Sequence, residues 1–172
     1  MRRLLLALCA IAALAVSAAT ASGGSSASTD WSIMSTSIGG AHLGQPKSYY
    51  RPLFGPSYRM EFLENGFSRM TFAKRRVYVY YRKGTAGAIA IVTWHRKYRT
   101  PEHVGPCSPV DALATYPTAK KVFSSGASSG NQGAVYRLHQ LLFRVEKKRI
   151  ISVALGPSRR AIFLATTAPA CR

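Results

Sequence analysis

The chain has 172 residues, and its 24 lysines and arginines against six aspartates and glutamates give a formal net charge of +18. The length suits one compact domain, and six carboxylates leave few candidates for a pair of catalytic acids. A balance this basic predicts attraction to polyanions, such as teichoic acids, anionic lipid head groups, extracellular DNA or acidic proteins. A solvated basic surface that only aids solubility is the alternative.

The N-terminal residues are typical of a targeting segment. Two arginines precede an uncharged apolar run, and Ala19-Thr20-Ala21 is a small-x-small cleavage signal, so we predict a signal peptide over residues 1–21. An uncleaved anchor is the alternative. Residues 22–37 are rich in serine, glycine, alanine and threonine, which predicts a flexible leader. No other run is long enough for a membrane-spanning helix. We therefore expect a secreted, extracytoplasmic protein with no transmembrane anchor in the mature chain.

The first half of the remaining chain has the pattern of a short helix followed by antiparallel strands. Pro46 suits the first position of a helix over Gln45–Arg51, and Pro52 is expected to end it. Asn65-Gly66 is a hairpin turn signal between two strand-like runs. The expected strands are Tyr58–Glu64, Ser68–Phe72, Val77–Arg82 and Ala88–Trp94.

The second half repeats this order of elements. Ser108 suits the N-cap of a helix, Pro109 its first position and Asp111 its third, and Pro117 ends it. The expected strands are Ala134–Gln140, Leu141–Glu146, Ile150–Leu155 and Ala161–Thr167.

The matched order predicts that residues 38–172 form one domain made of two repeats, about 38–102 and 103–172. Low identity between the halves leaves chance similarity as the alternative. The expected fold class is α+β, with tandem helix-plus-antiparallel-meander units that form a sheet with helices on one face.

Alternation along the strands assigns side chains to the two faces of this sheet. The side chains expected to face the core are Met70, Phe72, Val77, Val79, Tyr81, Ile89, Ile91, Leu141, Phe143, Ile151 and Val153. The opposite face then carries Arg69, Thr71, Tyr78, Tyr80, Arg82, Trp94 and Arg144.

The strongest functional signal is the interleaving of aromatic and basic residues over residues 75–83. Tyrosines supply contact area at small entropic cost, and flanking arginines supply directional hydrogen-bond donors. The same pattern is typical of proteins that bind single-stranded nucleic acid. The alternative is an ordinary strand, because β-propensity alone explains the tyrosines. The candidate binding residues are Arg69, Tyr78, Tyr80, Arg82, Trp94 and Arg144.

Loss of the signal peptide would leave two cysteines, Cys107 and Cys171. An even pair in an exported protein predicts a disulfide bond, with two free thiols or a metal site as the alternatives. The spacing of these cysteines does not match a zinc motif.

No catalytic or metal-binding pattern is present in the sequence. The four histidines, His42, His95, His103 and His139, include no i, i+4 pair. Glu61 and Glu64 are offset by three in a strand, which argues against apposed carboxylates. We therefore expect no cofactor, no metal and no enzyme activity.

The chain resembles secreted actinobacterial proteins of unknown function. The resemblance covers roughly Ile38–Cys171 and lies in a Leu-Gly-x-Pro helix that ends in Phe54-Gly55-Pro56, a tyrosine-rich meander and Tyr98-Arg99-Thr100. The helix-plus-meander unit is similar to that of the outer-membrane assembly lipoprotein BamE, and the tandem form resembles the β-lactamase inhibitor protein BLIP. The resemblance implies a tandem α-β-β-β arrangement with a concave protein-binding sheet face. Two features of the inhibitor differ from this chain: its repeat unit has a disulfide of its own, and its charge balance is different.

The expected function is that of a secreted, non-enzymatic binding module that meets a protein or cell-envelope partner through the exposed Tyr/Arg-rich sheet face. The alternative is a basic protein that binds a polyanion such as a wall polymer, an anionic lipid or nucleic acid. The sequence does not indicate an oligomeric state.

Overall fold

The structure is a computed structural model that describes residues 30–124, 133–156 and 171. The predicted signal peptide, the first half of the predicted leader (residues 22–29) and the predicted strand Ala161–Thr167 lie outside the described residues.

A single eight-stranded antiparallel sheet forms the body of the described domain, with the strand order β3-β4-β5-β6-β10-β9-β8-β7. Two four-stranded meanders, β3 to β6 and β7 to β10, meet where β6 pairs with β10. A two-stranded ribbon, β1 with β2, lies outside this sheet. The strands are β1 (Ile33–Met34), β2 (Ser37–Ile38), β3 (Arg59–Leu63), β4 (Phe67–Phe72), β5 (Val77–Arg82), β6 (Ala88–Thr93), β7 (Lys120–Ser124), β8 (Gly133–Leu138), β9 (Leu141–Glu146) and β10 (Arg149–Leu155).

The predicted α+β class with helices on one sheet face is wrong. The described residues are mostly β, and their one α-helix is α1 (Lys47–Phe54). Pro52 lies inside α1 and does not end it, since the helix continues to Phe54 before Gly55. No helix in the described part of the chain is long and apolar enough to cross a membrane.

The predicted second helix is a short 3₁₀ segment, Val110–Thr115. Its cap is Pro109, without a side-chain hydrogen bond, whereas the Ser108 hydroxyl accepts from the Gly105 amide at 3.1 Å. The Val110 amide donates to the Lys148 carbonyl at 2.9 Å, so the start of the segment is held on the β9–β10 hairpin. A stretch this short, tied to a hairpin and closed by Pro117, has no room for successive α-helical turns.

The main core lies between one face of the sheet and α1 with its neighbouring loops. Tyr50 and Phe54 are the buried residues of α1, and the Phe54 and Phe72 rings are 5.2 Å apart. The predicted core residues Met70, Phe72, Val77, Val79, Tyr81, Ile91, Leu141, Phe143 and Val153 all lie in this cluster. The predicted assignment of these nine side chains is therefore confirmed.

Two β-bulges explain the core predictions that are wrong. Ile89 packs against the cluster on the opposite sheet face, and the β5–β6 register shifts between Tyr80 and Tyr81. Ile151 is only half-buried, whereas Ile150 is fully buried in the main core, and the β9–β10 register shifts at this point. An extra residue in one strand reverses the alternation of side chains beyond it.

Part of the segment predicted to be a flexible leader belongs to the folded domain. Residues 30–37 include β1 and part of β2, and the Ile33 side chain is buried in the main core. The Ile33 amide donates to the Arg99 carbonyl at 2.7 Å, and the Arg99 amide donates to the Trp31 carbonyl at 2.9 Å. Burial of apolar side chains and backbone pairing therefore order residues 30–37. The small polar residues of this segment had led to the prediction of a flexible leader.

Candidate functional site

The Tyr/Arg-rich sheet face is largely buried where the tyrosines lie. Tyr80 is 0% exposed and Tyr78 is 8% exposed. Both pack in a second apolar cluster with Val92, Leu142 and Ala154. Burial raises the pKa of Tyr80 to about 12, although the neighbouring Arg69 lowers it. The central strands are therefore covered on both faces, and neither tyrosine offers the open contact area that the pattern suggested.

Arg69 is engaged within this second face. Its Nε atom donates to the Glu61 carboxylate at 2.8 Å, and its guanidinium lies 4.3 Å from the centre of the Tyr78 ring. Burial alone would lower the pKa of Arg69, but Glu61 and Tyr80 raise it. Arg69 is therefore charged and is held by contacts with Glu61 and the Tyr78 ring.

The other predicted binding residues do not form one open surface. Trp94 is half-buried, 4.1 Å from the Tyr78 ring, and Arg144 is half-buried with Nη2 2.5 Å from Glu146 Oε1. Arg82 is exposed at the far end of β5. The structure thus groups four of these side chains on neighbouring strands: Arg69, Tyr78, Tyr80 and Trp94. It places Arg82 at the end of β5, away from Tyr78.

A different basic surface lies at one end of the sheet. Three chain segments lie at this end: the β4–β5 turn, the residues after β6, and the β9–β10 turn. With Arg149, the first residue of β10, these segments contain eight lysines and arginines, and all of these cations except the half-buried Arg75 are exposed. The adjoining carboxylate of Glu146 is paired with Arg144. We call this surface the basic end; its cations are Lys74, Arg75, Arg76, Arg96, Lys97, Lys147, Lys148 and Arg149.

Strand register explains why these segments lie at the same end of the sheet. Thr93, the last residue of β6, pairs with Val77 at the start of β5 and with Val153 in β10. The amide of Trp94 donates to the Arg76 carbonyl at 3.3 Å, which joins two of the segments directly. The β9–β10 turn lies beyond Val153 in the same direction. The positive charges of distant sequence segments are therefore added at one place.

Trp31 lies within the basic end. The Arg75 guanidinium is 5.0 Å and the Lys97 ammonium 5.4 Å from the centre of the Trp31 ring, and the His95 ring is 4.7 Å away. Cations at these distances are attracted to the face of an indole. We did not predict this contact, because Trp31 falls in the segment taken as a leader.

His95 is the titratable group that senses this charge. Its pKa is lowered, first by burial and then by the positive charges of Arg76, Lys97, Arg96 and Arg75. The carboxylate of Asp30, next to Trp31 in the sequence, is exposed and accepts from the Ser32 amide at 2.8 Å. The arrangement favours a neutral imidazole.

Three cations of the basic end have unfavourable backbone conformations. Arg76, Lys147 and Lys148 have φ values of 51°, 48° and 61°. Lys147 and Lys148 form the two-residue turn of the β9–β10 hairpin, a position where Asn-Gly is strongly preferred. A left-handed conformation costs a side-chain-bearing residue roughly 1–2 kcal/mol. Strain of this kind is concentrated at functional sites.

A shallow cavity of about 410 Å³ adjoins the basic end through Arg75. The C-terminal half of α1 forms much of its wall, so Arg51 contributes a second guanidinium to the lining. The remaining lining is apolar or glycine: Pro52, Leu53, Gly55 and Pro56.

The two cysteines predicted to pair lie beside the basic end. The sulfur atoms of Cys107 and Cys171 are 2.16 Å apart, a distance compatible with the predicted disulfide. The Cys107 amide donates to the Ile150 carbonyl in β10 at 2.6 Å. Within the described ranges, no group of three histidine, cysteine, aspartate or glutamate side chains could hold a metal ion.

Comparisons with protein-family models, with curated proteins and with solved structures gave no match to this chain.

Proposed function

We propose that this chain is a secreted binding protein that captures a phosphate-rich polyanion at its basic end. The observation that carries the proposal is the grouping of eight cations on three segments at one end of the sheet, where the adjoining carboxylate of Glu146 is already paired with Arg144. Like charges concentrated in this way repel one another, and a bound polyanion relieves that repulsion.

Trp31 adds a second kind of contact to the site. It is half-buried, with Arg75 and Lys97 both near its ring, so it holds two cationic side chains at the surface. Ordered cations lose less conformational entropy on binding than free ones. The strained Lys147-Lys148 turn supports the proposal too, because asparagine and glycine would fit its backbone better.

The buried tyrosines make protein capture through the Tyr/Arg-rich face a weaker proposal. Tyr80 can contact a partner only if the second apolar cluster opens. The cations of the basic end are exposed already.

Export and a Cys107–Cys171 disulfide are part of the same proposal. The intact mass of the exported protein should equal that of the chain without residues 1–21, less two hydrogens. Free thiols in the native protein would contradict the pairing.

Binding to inorganic polyphosphate tests the proposed function. We expect log K to fall linearly with log salt concentration, because each phosphate contact releases condensed counterions, with a slope near −0.7 per contact for a single-stranded polymer. Uncharged dextran of similar length is the control. Absence of binding at about 50 mM salt, or an affinity independent of salt, would contradict the proposal.

The chemical source of the phosphate is decided by the same assay with other ligands. Lipoteichoic acid, a single-stranded oligonucleotide and vesicles with anionic lipid each carry phosphate in a different backbone. The ligand with the highest affinity at physiological salt identifies the preferred class.

A further inference from the structure

A second surface lies at the edge of the sheet that β3 forms, and its chemistry differs from that of the basic end. Strand β3 is the terminal strand of the eight-stranded sheet, and none of the described strands pairs with its outer side. Phe62, the fourth of the five residues of β3, is 89% exposed, the most exposed of the large hydrophobic side chains in the described residues. An open strand edge with an exposed aromatic residue is a site where another strand can add.

The other terminal strand, β7, has a less exposed aromatic residue, Phe123 at 37%, and it differs in charge. Strand β7 carries Lys120 and Lys121, both exposed, and lysines on an edge strand discourage pairing. On β3, Glu61 lies on the opposite strand face from Phe62 and is held by Arg69 and Arg59. The charge of Glu61 is therefore neutralised within the sheet.

A groove of about 480 Å³ runs beside Phe62. Its lining combines apolar side chains with three cations and contains no carboxylate. Lys47 of α1 has its ammonium 5.4 Å from the centre of the Tyr81 ring, which forms part of the groove wall. The side chains that matter here are Lys47, Phe62, Phe67, Tyr81, Arg82 and Lys83.

We propose that the outer edge of β3 binds an extended peptide segment that carries an apolar and an acidic side chain two residues apart, on one face of the added strand. The peptide backbone adds to β3, the apolar side chain covers Phe62, and the acidic side chain lies on the same sheet face, towards Lys47 and Lys83. Charge complementarity selects this occupant, since a second copy of a chain with a formal charge of +18 is repelled.

The probe is a synthetic peptide of about seven residues, near the length of an average strand, with phenylalanine and glutamate two positions apart on one face and threonines on the other. We expect saturable binding to the wild-type chain, and about tenfold weaker binding to Phe62→Ser. The exposure of Phe62 means that this variant should keep its melting temperature. Lys83→Glu should weaken binding too, whereas Lys121→Glu on the other edge strand should not.

Two controls separate strand addition from simple attraction to positive charge. The same peptide with alternate amides N-methylated keeps its charge but cannot donate to the edge of β3, and it should not bind. The double variant Arg76→Glu/Lys97→Glu, at the basic end, should bind the unmodified peptide as the wild type does.

Several results would overturn the proposal. These are no binding at millimolar peptide, equal binding of the N-methylated peptide, or equal binding by Phe62→Ser. Concentration-dependent dimers in sedimentation that disappear in Phe62→Ser would assign the edge to a second copy instead.

Discussion

The Arg75 guanidinium lies 5.0 Å from the centre of the Trp31 ring, and this contact joins the first described segment of the chain to the β4–β5 turn. The Lys97 ammonium lies near the same ring. Trp31 is therefore in direct contact with the cations that we propose to bind a polyanion.

Tryptophan fluorescence should report this binding. Polyphosphate that draws Arg75 or Lys97 away from the indole changes the environment of Trp31, so the emission of the wild type should shift or change in intensity. The chain has two tryptophans, Trp31 and Trp94. Trp94→Phe should keep the response and Trp31→Phe should lose it. The reverse result would place the binding site on the Tyr/Arg-rich face.

The Lys147-Lys148 turn should lower the stability of the fold and contribute to polyphosphate binding. Lys147→Asn/Lys148→Gly fits the left-handed backbone of the turn, and we expect it to raise the free energy of unfolding by about 1 kcal/mol, measured in urea. The same variant should bind polyphosphate more weakly, because it removes two cations.

The matched control for this turn is Lys147→Gln/Lys148→Gln, which removes the same charges and keeps residues that disfavour positive φ. It should weaken polyphosphate binding equally without the gain in stability. A wild-type affinity in both double variants would exclude the turn from the site.

Strands with clear alternation could be predicted from local pattern, whereas β1, β2 and β7 were not predicted, and the site depends on the register between strands. The predicted strands Val77–Arg82 and Leu141–Glu146 are confirmed, because their alternation of apolar side chains is clear and uninterrupted. Bulges between Tyr80 and Tyr81 and near Ile151 leave no local signal that we recognised, so Ile89 and Ile151 were assigned to the wrong environment.

The burial of Tyr78 and Tyr80 could not be predicted from alternation. A period of two shows that these side chains share a face, but it does not show whether that face is covered. The basic end could not be predicted from the sequence for a related reason. Its cations lie on three separate segments, and only the pairing of β6 with both β5 and β10 brings those segments to one end of the sheet.

The His95 imidazole should make stability and binding depend on pH. Because its pKa is lowered in the folded chain, the unfolded chain takes up the proton first as the pH falls below about 6.5. Stability attributable to His95 is therefore fully present above that pH and is lost as the pH falls towards the lowered pKa. His95→Gln should remove this part of the pH dependence of the free energy of unfolding.

Polyphosphate should raise the pKa of His95, since it offsets the charges of the surrounding arginines and lysine. NMR titration of the imidazole signals measures this. The signal of His139, in the turn between β8 and β9 at the opposite end of the sheet, should not respond to the ligand. An unchanged His95 signal in saturated protein would contradict binding at the basic end.

Two fully buried tyrosines should respond differently to loss of the hydroxyl group. Tyr50 donates to the His42 carbonyl at 2.6 Å, whereas the buried Tyr98 hydroxyl has no hydrogen-bond partner in the described structure. Tyr50→Phe should lower the free energy of unfolding by about 1 kcal/mol, and Tyr98→Phe should leave it unchanged or raise it. Urea unfolding of both variants measures the difference. Equal losses would show that Tyr98 has a partner.

The most direct test of the proposed function compares two double charge reversals that change the net charge equally. Arg76→Glu/Lys97→Glu alters the basic end, and Arg82→Glu/Lys83→Glu alters the opposite end of β5; all four side chains are exposed. At physiological salt, where screening confines charge effects to roughly 8 Å, the first variant should lose about tenfold or more of its polyphosphate affinity and the second should lose little. Equal losses in both variants would show that net charge alone holds the polyanion and would contradict a site at the basic end.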